Sequence, residues 1–354
     1  MKKYLFVLST IIYIIACAPA KPIQTPTTTI SYDNAPGVTG NARELVRVTN
    51  DPIPEFKPKI SPDGKKMIFY TRDDNKAGLE KWSIVYIKIG EPGRIPLVGA
   101  FIADPSWMPD SKGFIFQYLQ PSKPVICKGN IDGSSGISYV SPSGMGDFDG
   151  SPQMSTDGKK ILFQTTIGGG AQVCMMDITG NNFTLLTKGS SPFWNPNGTG
   201  FIYENIVGQN TQLFYYELKS GQSTQLTSGD NSNYSPTINL KGDKIAFAST
   251  RAKNRHIFTA NISGSDVTQI TQGNTIDDYP VFNADNMIFF CSNAGGVLKK
   301  TVTTKATPNF GMGAMGGMSR LGTLPPALNT TQTLTQLYNI ALGDYSDIWS
   351  VQIK

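Results

Sequence analysis

The sequence predicts an all-β fold, a six-bladed β-propeller of four-stranded blades. The first observation behind this prediction is a hairpin pattern, SPQMSTDGKKILF at residues 151–163, that occurs six times along the 354 residues. Each copy contains a proline near its start, and successive prolines are 47, 47, 40, 44 and 44 residues apart. A repeat of this length is typical of propeller blades. The six prolines are Pro58, Pro105, Pro152, Pro192, Pro236 and Pro280.

The second observation is the composition of the rest of each repeat. Short runs rich in apolar and β-branched residues, such as AQVCMMDITG and STQLTSG, follow the hairpins and end at Gly, Asn or Ser. We label the four strands of a blade a to d. Strand a is expected to be innermost, because an edge facing the channel tolerates a proline, which lacks an N–H. Strand b is almost wholly apolar, which indicates that neighbouring blades cover both of its faces.

The third observation concerns closure of the ring. The sixth repeat has strands a and b at residues 279–292 and a late strand c, SDIWSVQIK, without a strand d after it. The segment ELVRVTN at residues 44–50 is similar to the strand-d segments of other repeats. We therefore expect the N-terminal strand 44–50 to complete the last blade, so that no sheet edge is left open at the seam.

The SPDGK hairpin, the FASTRAKNRHIFTANISG pattern and the Leu-Thr strand ends resemble the six-bladed propeller of the periplasmic TolB family. The resemblance covers residues 43–354. It implies the same fold and, by analogy only, a role in binding proteins of the cell envelope. It does not extend to the α/β domain that precedes the propeller of TolB.

The N-terminus predicts export. Residues 1–16 contain two lysines and an apolar stretch too short to span a bilayer, as in a signal peptide. The sequence IIAC resembles the lipobox of bacterial lipoproteins, which implies lipidation of Cys17; the alternative is an ordinary signal peptide with an unmodified cysteine. Residues 17–42 are rich in Pro and Thr and are expected to be a disordered tether. The protein is then anchored in the envelope by lipid, on the periplasmic side of the outer membrane.

Composition disfavours several classes of function. The formal net charge is only +5 and basic residues are not clustered in stripes, so nucleic-acid binding is not predicted. Cys127, Cys174 and Cys291 are expected to be small buried residues, neither disulfide-bonded nor zinc ligands. No cofactor and no metal site is predicted, and the protein is expected to be monomeric.

Alternating strand directions assign the charged loops to two ends of the ring. The a–b and c–d connections share one end, termed the lysine rim, and the b–c and d–a connections share the other, termed the acidic rim. The a–b hairpins carry Lys65, Lys66, Lys112, Lys159, Lys160, Lys241 and Lys244. The candidate partner-binding residues of the acidic rim are Asp51, Glu55, Asp104, Asp149, Asp230, Asp277, Asp278, Arg251 and Arg255. A mouth lined by carboxylates attracts a basic partner or a cation; the alternative is that these are ordinary solvated loop charges.

An insertion interrupts the sixth repeat at about residues 297–344, between strands b and c. Connections of this length are usually functional or disordered. This one is expected to leave the ring on the acidic rim and to cover the channel mouth or dock a partner. Within it, TQTLTQLYNIAL is predicted to form a short helix. Met312, Met315 and Met318 make Cu(I) binding a weaker alternative to adaptable hydrophobic contacts.

Recognisable catalytic groups are few, which favours a binding module. The single histidine, His256, is expected to start a strand, and no Gly-x-Ser-x-Gly nucleophile elbow is present. The sequence therefore predicts a non-enzymatic envelope lipoprotein that binds or scaffolds proteins, and the TolB resemblance implies an outer-membrane or peptidoglycan-associated partner. Two alternatives remain open: a purely structural envelope component, and a carbohydrate-active hydrolase or lyase that uses Asp104, Asp149 and Asp278.

Overall fold

The computed structural model describes residues 36–49, 53–73, 75–98, 102–119, 124–134, 136–141, 149–167, 169–283, 287–294, 298–304, 332–338 and 347–354. Across these ranges the secondary structure consists of 28 β-strands and one 3-10 helix, Gly78–Lys81, with no α-helix. No helix in the same ranges is long and apolar enough to be a candidate membrane span. The all-β prediction is confirmed.

Six four-stranded antiparallel sheets form the blades of the propeller. Two strands precede the first blade, β1 (Gly37–Val38) and β2 (Ala42–Arg47). Blade 1 contains β3 (Glu55–Ile60), β4 (Lys66–Arg72), β5 (Trp82–Lys88) and β6 (Ile95–Val98). Blade 2 contains β7 (Ile102–Trp107), β8 (Gly113–Leu119), β9 (Pro124–Asn130) and β10 (Ser138–Tyr139). Blade 3 contains β11 (Asp149–Met154), β12 (Lys160–Thr165), β13 (Gln172–Asp177) and β14 (Thr184–Lys188).

The second half of the ring repeats this order. Blade 4 contains β15 (Ser190–Trp194), β16 (Gly200–Val207), β17 (Asn210–Glu217) and β18 (Gln222–Gln225). Blade 5 contains β19 (Asn233–Ile238), β20 (Lys244–Ser249), β21 (His256–Asn261) and β22 (Thr268–Gln269). The short β23 (Thr271–Gln272) follows, and blade 6 contains β24 (Asp277–Phe282), β25 (Met287–Ser292), β28 (Asp347–Ile353) and β2.

The N-terminal strand closes the ring, as the sequence predicts. β2 pairs with β28 in antiparallel register, with Ala42 opposite Ile353 and Arg47 opposite Trp349. The observed strand begins two residues before the predicted 44–50 segment. One boundary of the predicted tether, residues 17–42, is corrected. Residues 37–38 form β1, which pairs with β23 at the edge of blade 5, so the ordered part of the chain begins before residue 42. Cys17 and residues 18–35 lie outside the described residues.

The hydrophobic core lies between blades. Six apolar clusters each join two neighbouring blades, including one between blade 6 and blade 1. Strand b supplies side chains to both sides: Met67 and Phe69 pack toward blade 6, whereas Ile68 packs toward blade 2. All three are fully buried, and burial of each contributes about 1.5–3 kcal/mol. This confirms that neighbouring blades cover both faces of strand b.

Each innermost strand has a β-bulge at the repeated proline. The pairing of strand a with strand b skips two residues in all six blades, and the skipped residues are the proline and the residue before it. Each residue before the proline has a positive φ of 47–54°. A side chain in this left-handed region costs about 1 kcal/mol, so the close packing of the ring must hold it there. The six residues are Lys57, Asp104, Ser151, Ser191, Ser235 and Tyr279.

The hairpin tips show why Asp or Asn recurs five residues after the proline. Oδ1 of Asp63 accepts a hydrogen bond from the N–H of Lys65 at 3.0 Å, and Asp157 does the same with Lys159. A side chain that accepts from the backbone two residues later stabilises a tight turn. The hydroxyl of Ser61 is the main cause that lowers the pKa of Asp63 to about 2.

Two further predictions have different outcomes. Cys127, Cys174 and Cys291 are buried and free, as predicted, and burial raises the pKa of the Cys127 thiol to about 12. The predicted helix at TQTLTQLYNIAL is wrong, because Gln332–Tyr338 is a strand, β27, that pairs with β26 (Leu298–Thr304) in a separate two-stranded sheet. Alternation of Thr with Gln and Leu favours a strand there. Most of the insertion lies outside the described residues, including its three methionines, so the lid and copper hypotheses stay untested.

Candidate functional site

The six bulges line the central channel. Five of the six prolines and their neighbours line a space of about 540 Å³ that is partly open to solvent, and every blade contributes to its wall. A second space of about 960 Å³, also partly open to solvent, continues toward the a–b hairpins and shares Lys59, Gln153 and Phe193 with the first. The channel therefore has a polar level at the prolines and a level nearer the lysine rim that is lined by larger side chains. That lining includes Ile60, Trp107, Met154, Trp194, Ile238, Leu240 and Phe282.

At the polar level, one group of contacts joins blades 1, 2 and 3. Nζ of Lys57 lies 2.6 Å from Oδ1 of Asp104, and the hydroxyl of Ser151 donates to Oδ2 of Asp104 at 3.0 Å. Burial by itself raises the pKa of the Asp104 carboxyl. The Lys57 ammonium and the Ser151 hydroxyl outweigh this effect, so the pKa lies below its usual value.

A second group of contacts joins blades 4, 5 and 6. The N–H of Ser235 donates to Oε1 of Glu204 at 2.7 Å, and the hydroxyl of Ser235 donates to Oδ1 of Asp278 at 2.7 Å. Arg255 forms an ion pair with Asp278 and lies over the ring of Tyr234, 4.6 Å from its centroid. Burial raises the pKa of Glu204 to about 7, although the Ser235 N–H opposes the shift. Glu204 is therefore partly protonated near neutral pH.

The structure divides the predicted rim residues into three groups. Glu55, Asp149 and Asp277 are fully buried, which removes them from an exposed docking surface and corrects that part of the prediction. Glu55 bonds to Arg94 and Thr49. Each of these three acids lies three residues before the repeated proline, at the start of strand a, where side chains are packed inside the protein. The sequence alone does not show how deeply an acid at this position is buried.

The other predicted rim residues differ in depth. Asp104 lines the channel and pairs with Lys57. Asp278 is buried, pairs with Arg255 and accepts a hydrogen bond from Ser235 of the channel lining. Asp230 is exposed, Arg251 donates to Asn233 at 3.0 Å, and Arg255 is about one third exposed. Asp51 lies outside the described residues.

An aromatic cluster on the acidic rim of blade 1 was not predicted from the sequence. Phe56 and Tyr70 stack with centroids 5.3 Å apart, and Trp82 lies 5.6 Å from Tyr70 and 6.0 Å from Phe56. The guanidinium of Arg72 lies about 6 Å from the rings of Phe56 and Trp82. All four side chains are half-buried, so each keeps a surface that another protein can contact.

The buried His256 does not form a nucleophilic triad. Its Nδ1 lies 2.9 Å from Oδ2 of Asp277, while the Ser292 hydroxyl donates to Oδ1 of Asp277 at 2.6 Å. The serine therefore bonds to the carboxylate, not to the imidazole that would have to take its proton. His256 starts β21, as predicted. Among the residues the structure describes, no three His, Cys, Asp or Glu side chains group closely enough to hold a metal ion.

Two of the three carboxylates proposed for a carbohydrate-active enzyme, Asp104 and Asp149, are in states that do not suit acid catalysis. Asp149 is fully buried, and Asp104 is held in its ionised form by Lys57. A general acid needs a proton at working pH and a raised pKa, which is the opposite of the state of Asp104. This geometry favours binding through the channel and the acidic rim.

These features define the class of protein: a six-bladed β-propeller with a closed ring and a polar channel. Residues 38–214, half of the chain, match the TolB beta propeller domain model. The chain therefore belongs to the TolB beta-propeller domain family, which the sequence resemblance anticipated.

Known proteins show the same relationship. An uncharacterised protein of Agrobacterium fabrum is 24% identical over 196 residues, which is 54% of this chain and 66% of that protein, just under two thirds of its length. The crystal structure of TolB from Acinetobacter baumannii has 20% sequence identity to this chain and a TM-score of 0.58. The match covers 68% of this chain and 61% of that TolB chain. The structure of an oligogalacturonate lyase in complex with manganese has 12% sequence identity to this chain and a TM-score of 0.52. The match covers 94% of this chain and 99% of the lyase chain. At these identities the structures establish the fold alone.

Proposed function

We propose that this protein is a non-enzymatic binding module that docks an envelope protein on its acidic rim. The observation that carries this proposal is the aromatic cluster of Phe56, Tyr70, Arg72 and Trp82. Trp, Tyr and Arg contribute most of the energy in many protein interfaces. Here the rings already pack against one another, so little side-chain freedom is lost when a partner binds.

Charges and apolar groups on the same rim support the proposal. The Arg255–Asp278 pair and Asp230 provide polar groups, which suit the periphery of an interface. In blade 4, strands b and c continue to a two-residue turn, and the exposed side chains of Ile206 and Val207 lie at this tip. The partner suggested by family membership is an outer-membrane or peptidoglycan-associated protein, bound by a monomeric propeller.

A site-specific crosslinking experiment tests this docking face. A photoreactive amino acid is placed in cells at exposed Asn75, near the aromatic cluster, and separately at exposed Lys241 on the lysine rim. We expect one envelope protein to crosslink from position 75 and not from position 241. Trp82→Ala should reduce this adduct at least about fivefold, as expected for loss of an interface hot spot. Arg43→Ala, on the exposed N-terminal strand, is the matched control and should leave the adduct unchanged. Equal crosslinking from both rims contradicts the proposal.

Export and lipid anchoring through Cys17 form the second part of the proposal. The apolar N-terminus and the IIAC sequence support it. Cells expressing the full chain are fed an alkyne-labelled palmitate, and the wild type should acquire label and fractionate with the outer membrane. Cys17→Ser should abolish both results. Cys291→Ser is the control, since that thiol is buried in the propeller. An unlabelled wild-type protein in the soluble periplasmic fraction would favour an ordinary signal peptide.

A further inference from the structure

One cation in the channel is left without a carboxylate partner. Lys57 is paired with Asp104, but no ion pair or side-chain hydrogen bond of Lys59 is found among the described residues. Its ammonium instead lies 5.1 Å from the ring centroid of Phe193. Lys59 belongs to blade 1 and Phe193 to blade 4, which is the opposite blade of a six-membered ring. The Lys59 side chain therefore reaches across the channel.

This lysine lies where the two channel spaces meet. Lys59, Gln153 and Phe193 line both the polar space at the prolines and the larger space toward the lysine rim. The side-chain amide of Gln153 likewise has no hydrogen-bond partner among the described residues, although its backbone carbonyl accepts a hydrogen bond from the indole N–H of Trp194. Two half-buried donors without a protein partner thus lie where the two spaces meet. Burial lowers the pKa of Lys59 to about 8, with repulsion from Lys57 adding to the effect and attraction to Asp104 opposing it.

The path to these donors from the lysine rim is apolar. Trp107, Trp194, Ile238 and Phe282 line it, and Leu240 lies exposed at a hairpin tip. The a–b hairpins around this entrance carry exposed Lys65, Lys112, Lys159 and Lys241 together with exposed Asp63, Asp110 and Asp157, so charges of both signs surround it. An apolar passage that ends at hydrogen-bond donors fits a ligand with an apolar body and an anionic head.

We propose that the channel binds a carboxylate with an apolar body, which enters from the lysine rim and places its head between Lys59 and Gln153. The apolar body occupies the space lined by Trp107 and Trp194. A carboxylate has two acceptor oxygens, so it can receive a hydrogen bond from each donor. A free fatty acid and the C-terminus of an apolar peptide share this chemistry. The site is on the other end of the ring from the proposed protein-docking face and does not depend on it.

Calorimetric titration of the purified full chain tests the site. The probes are octanoate for a fatty acid, N-acetyl-leucyl-leucine for a peptide C-terminus, octanamide as the neutral analogue and acetate as a head without a body. We expect one or both of the first two to bind, and octanamide and acetate to bind at least about tenfold more weakly, because a charge-assisted hydrogen bond and apolar burial are then lost. The stronger of the first two probes identifies the source of the carboxylate. Equal binding of octanoate and octanamide, or no binding of any probe, overturns the proposal.

Variants locate the bound probe. Lys59→Met keeps the length of the side chain and removes the charge, and should weaken octanoate binding about tenfold or more. Lys253→Met, at an exposed position on the acidic rim, is the matched control and should bind octanoate as the wild type does. Should Lys59→Met fail to fold, Gln153→Leu provides a second test, because the backbone bond to Trp194 is kept. Unchanged affinity in a folded Lys59 or Gln153 variant contradicts the assignment, whatever the outcome of the crosslinking at the acidic rim.

Discussion

The imidazole of His256 and the carboxylate of Asp277 connect blade 5 to blade 6 inside the protein. His256 Nδ1 lies 2.9 Å from Asp277 Oδ2, and both side chains are almost completely buried. Ser292, also buried, bonds to the other oxygen of the same carboxylate. The only histidine of the chain is thus part of a structural contact between blades 5 and 6. The Asp277 carboxylate is hydrogen-bonded to side chains of two strands, His256 of β21 and Ser292 of β25.

Loss of this carboxylate should destabilise the propeller. Asp277→Ala leaves His256 and Ser292 buried without their partner, and a broken buried polar contact of this kind typically costs about 3 kcal/mol. Urea unfolding should show a correspondingly lower free energy of unfolding. Asp230→Ala is the control, since Asp230 is exposed and surface substitutions usually change stability by less than about 0.5 kcal/mol. Equal effects of the two substitutions would contradict the structural role.

Glu204 should make stability depend on pH. Its pKa is raised from 4.5 to about 7 in the folded protein, so between these values the folded state binds more protons than the unfolded state. The contribution of Glu204 to stability therefore falls as pH rises from 4.5 to 7 and is constant above. Glu204→Gln keeps the acceptor for Ser235 without the charge, and should be more stable than the wild type by up to about 3 kcal/mol above pH 7.

Unfolding by urea at several pH values between 4.5 and 8 measures this difference. The advantage of the Glu204→Gln variant should shrink toward pH 4.5. Glu80→Gln, at an exposed position, is the matched control and should follow the wild type throughout. A constant difference at every pH would show that ionisation of Glu204 is not the cause.

Gly189 should not tolerate a side chain. It takes the strand-start position where blades 3 and 6 have buried aspartates, and its φ of 148° is rarely adopted by other residues. A Cβ there would lie 2.5 Å from both the carbonyl oxygen of Glu204 and the ring of Tyr203. Gly189→Ala should lower the free energy of unfolding by about 2 kcal/mol or more. In Gly170→Ala the new methyl group meets no atom within 4 Å, so thermal unfolding of this control should differ little from that of the wild type.

Ring closure should make β2 necessary for cooperative unfolding. Deleting residues 1–48 removes the partner of β28 and the contact between Arg47 and Asp347, whereas deleting residues 1–35 keeps both. The longer deletion should lower the melting temperature by roughly 10 °C or more, and the shorter one should leave it nearly unchanged. Scanning calorimetry compares the two. A longer deletion that melts as the full chain does would show that the seam adds little stability.

The sequence predicted the fold well because the repeat is strict. One hairpin pattern in constant phase predicted the number of blades and the innermost strand, and a segment similar to strand d predicted the closing strand. It did not show the depth of the acids, because the bulge before each proline sets which side chains face the channel. Asp277 and Asp278 are neighbours in sequence and both are buried, yet the first bonds to His256 and Ser292, whereas the second bonds to Ser235 of the channel lining.

Side-chain contacts between different strands could not be predicted from the sequence. Phe56, Tyr70 and Trp82 are on three strands of blade 1, and each is an ordinary strand residue in its own repeat. Their cluster appears only once the register is known. Similarly, the absence of an acid in the loop before blade 4 gave no sign that Glu204, from strand b, places a carboxylate near the same level.

Pairing of Arg47 with Asp347 joins residues that are 300 positions apart. During synthesis β2 is made about 300 residues before its partner β28. Five blades can assemble while translation or passage through a translocon continues, but the sixth must wait for both ends of its sheet. Until β28 is made, the unfinished ring is therefore an open arc in which blades 1 and 5 expose the apolar faces that blade 6 later covers.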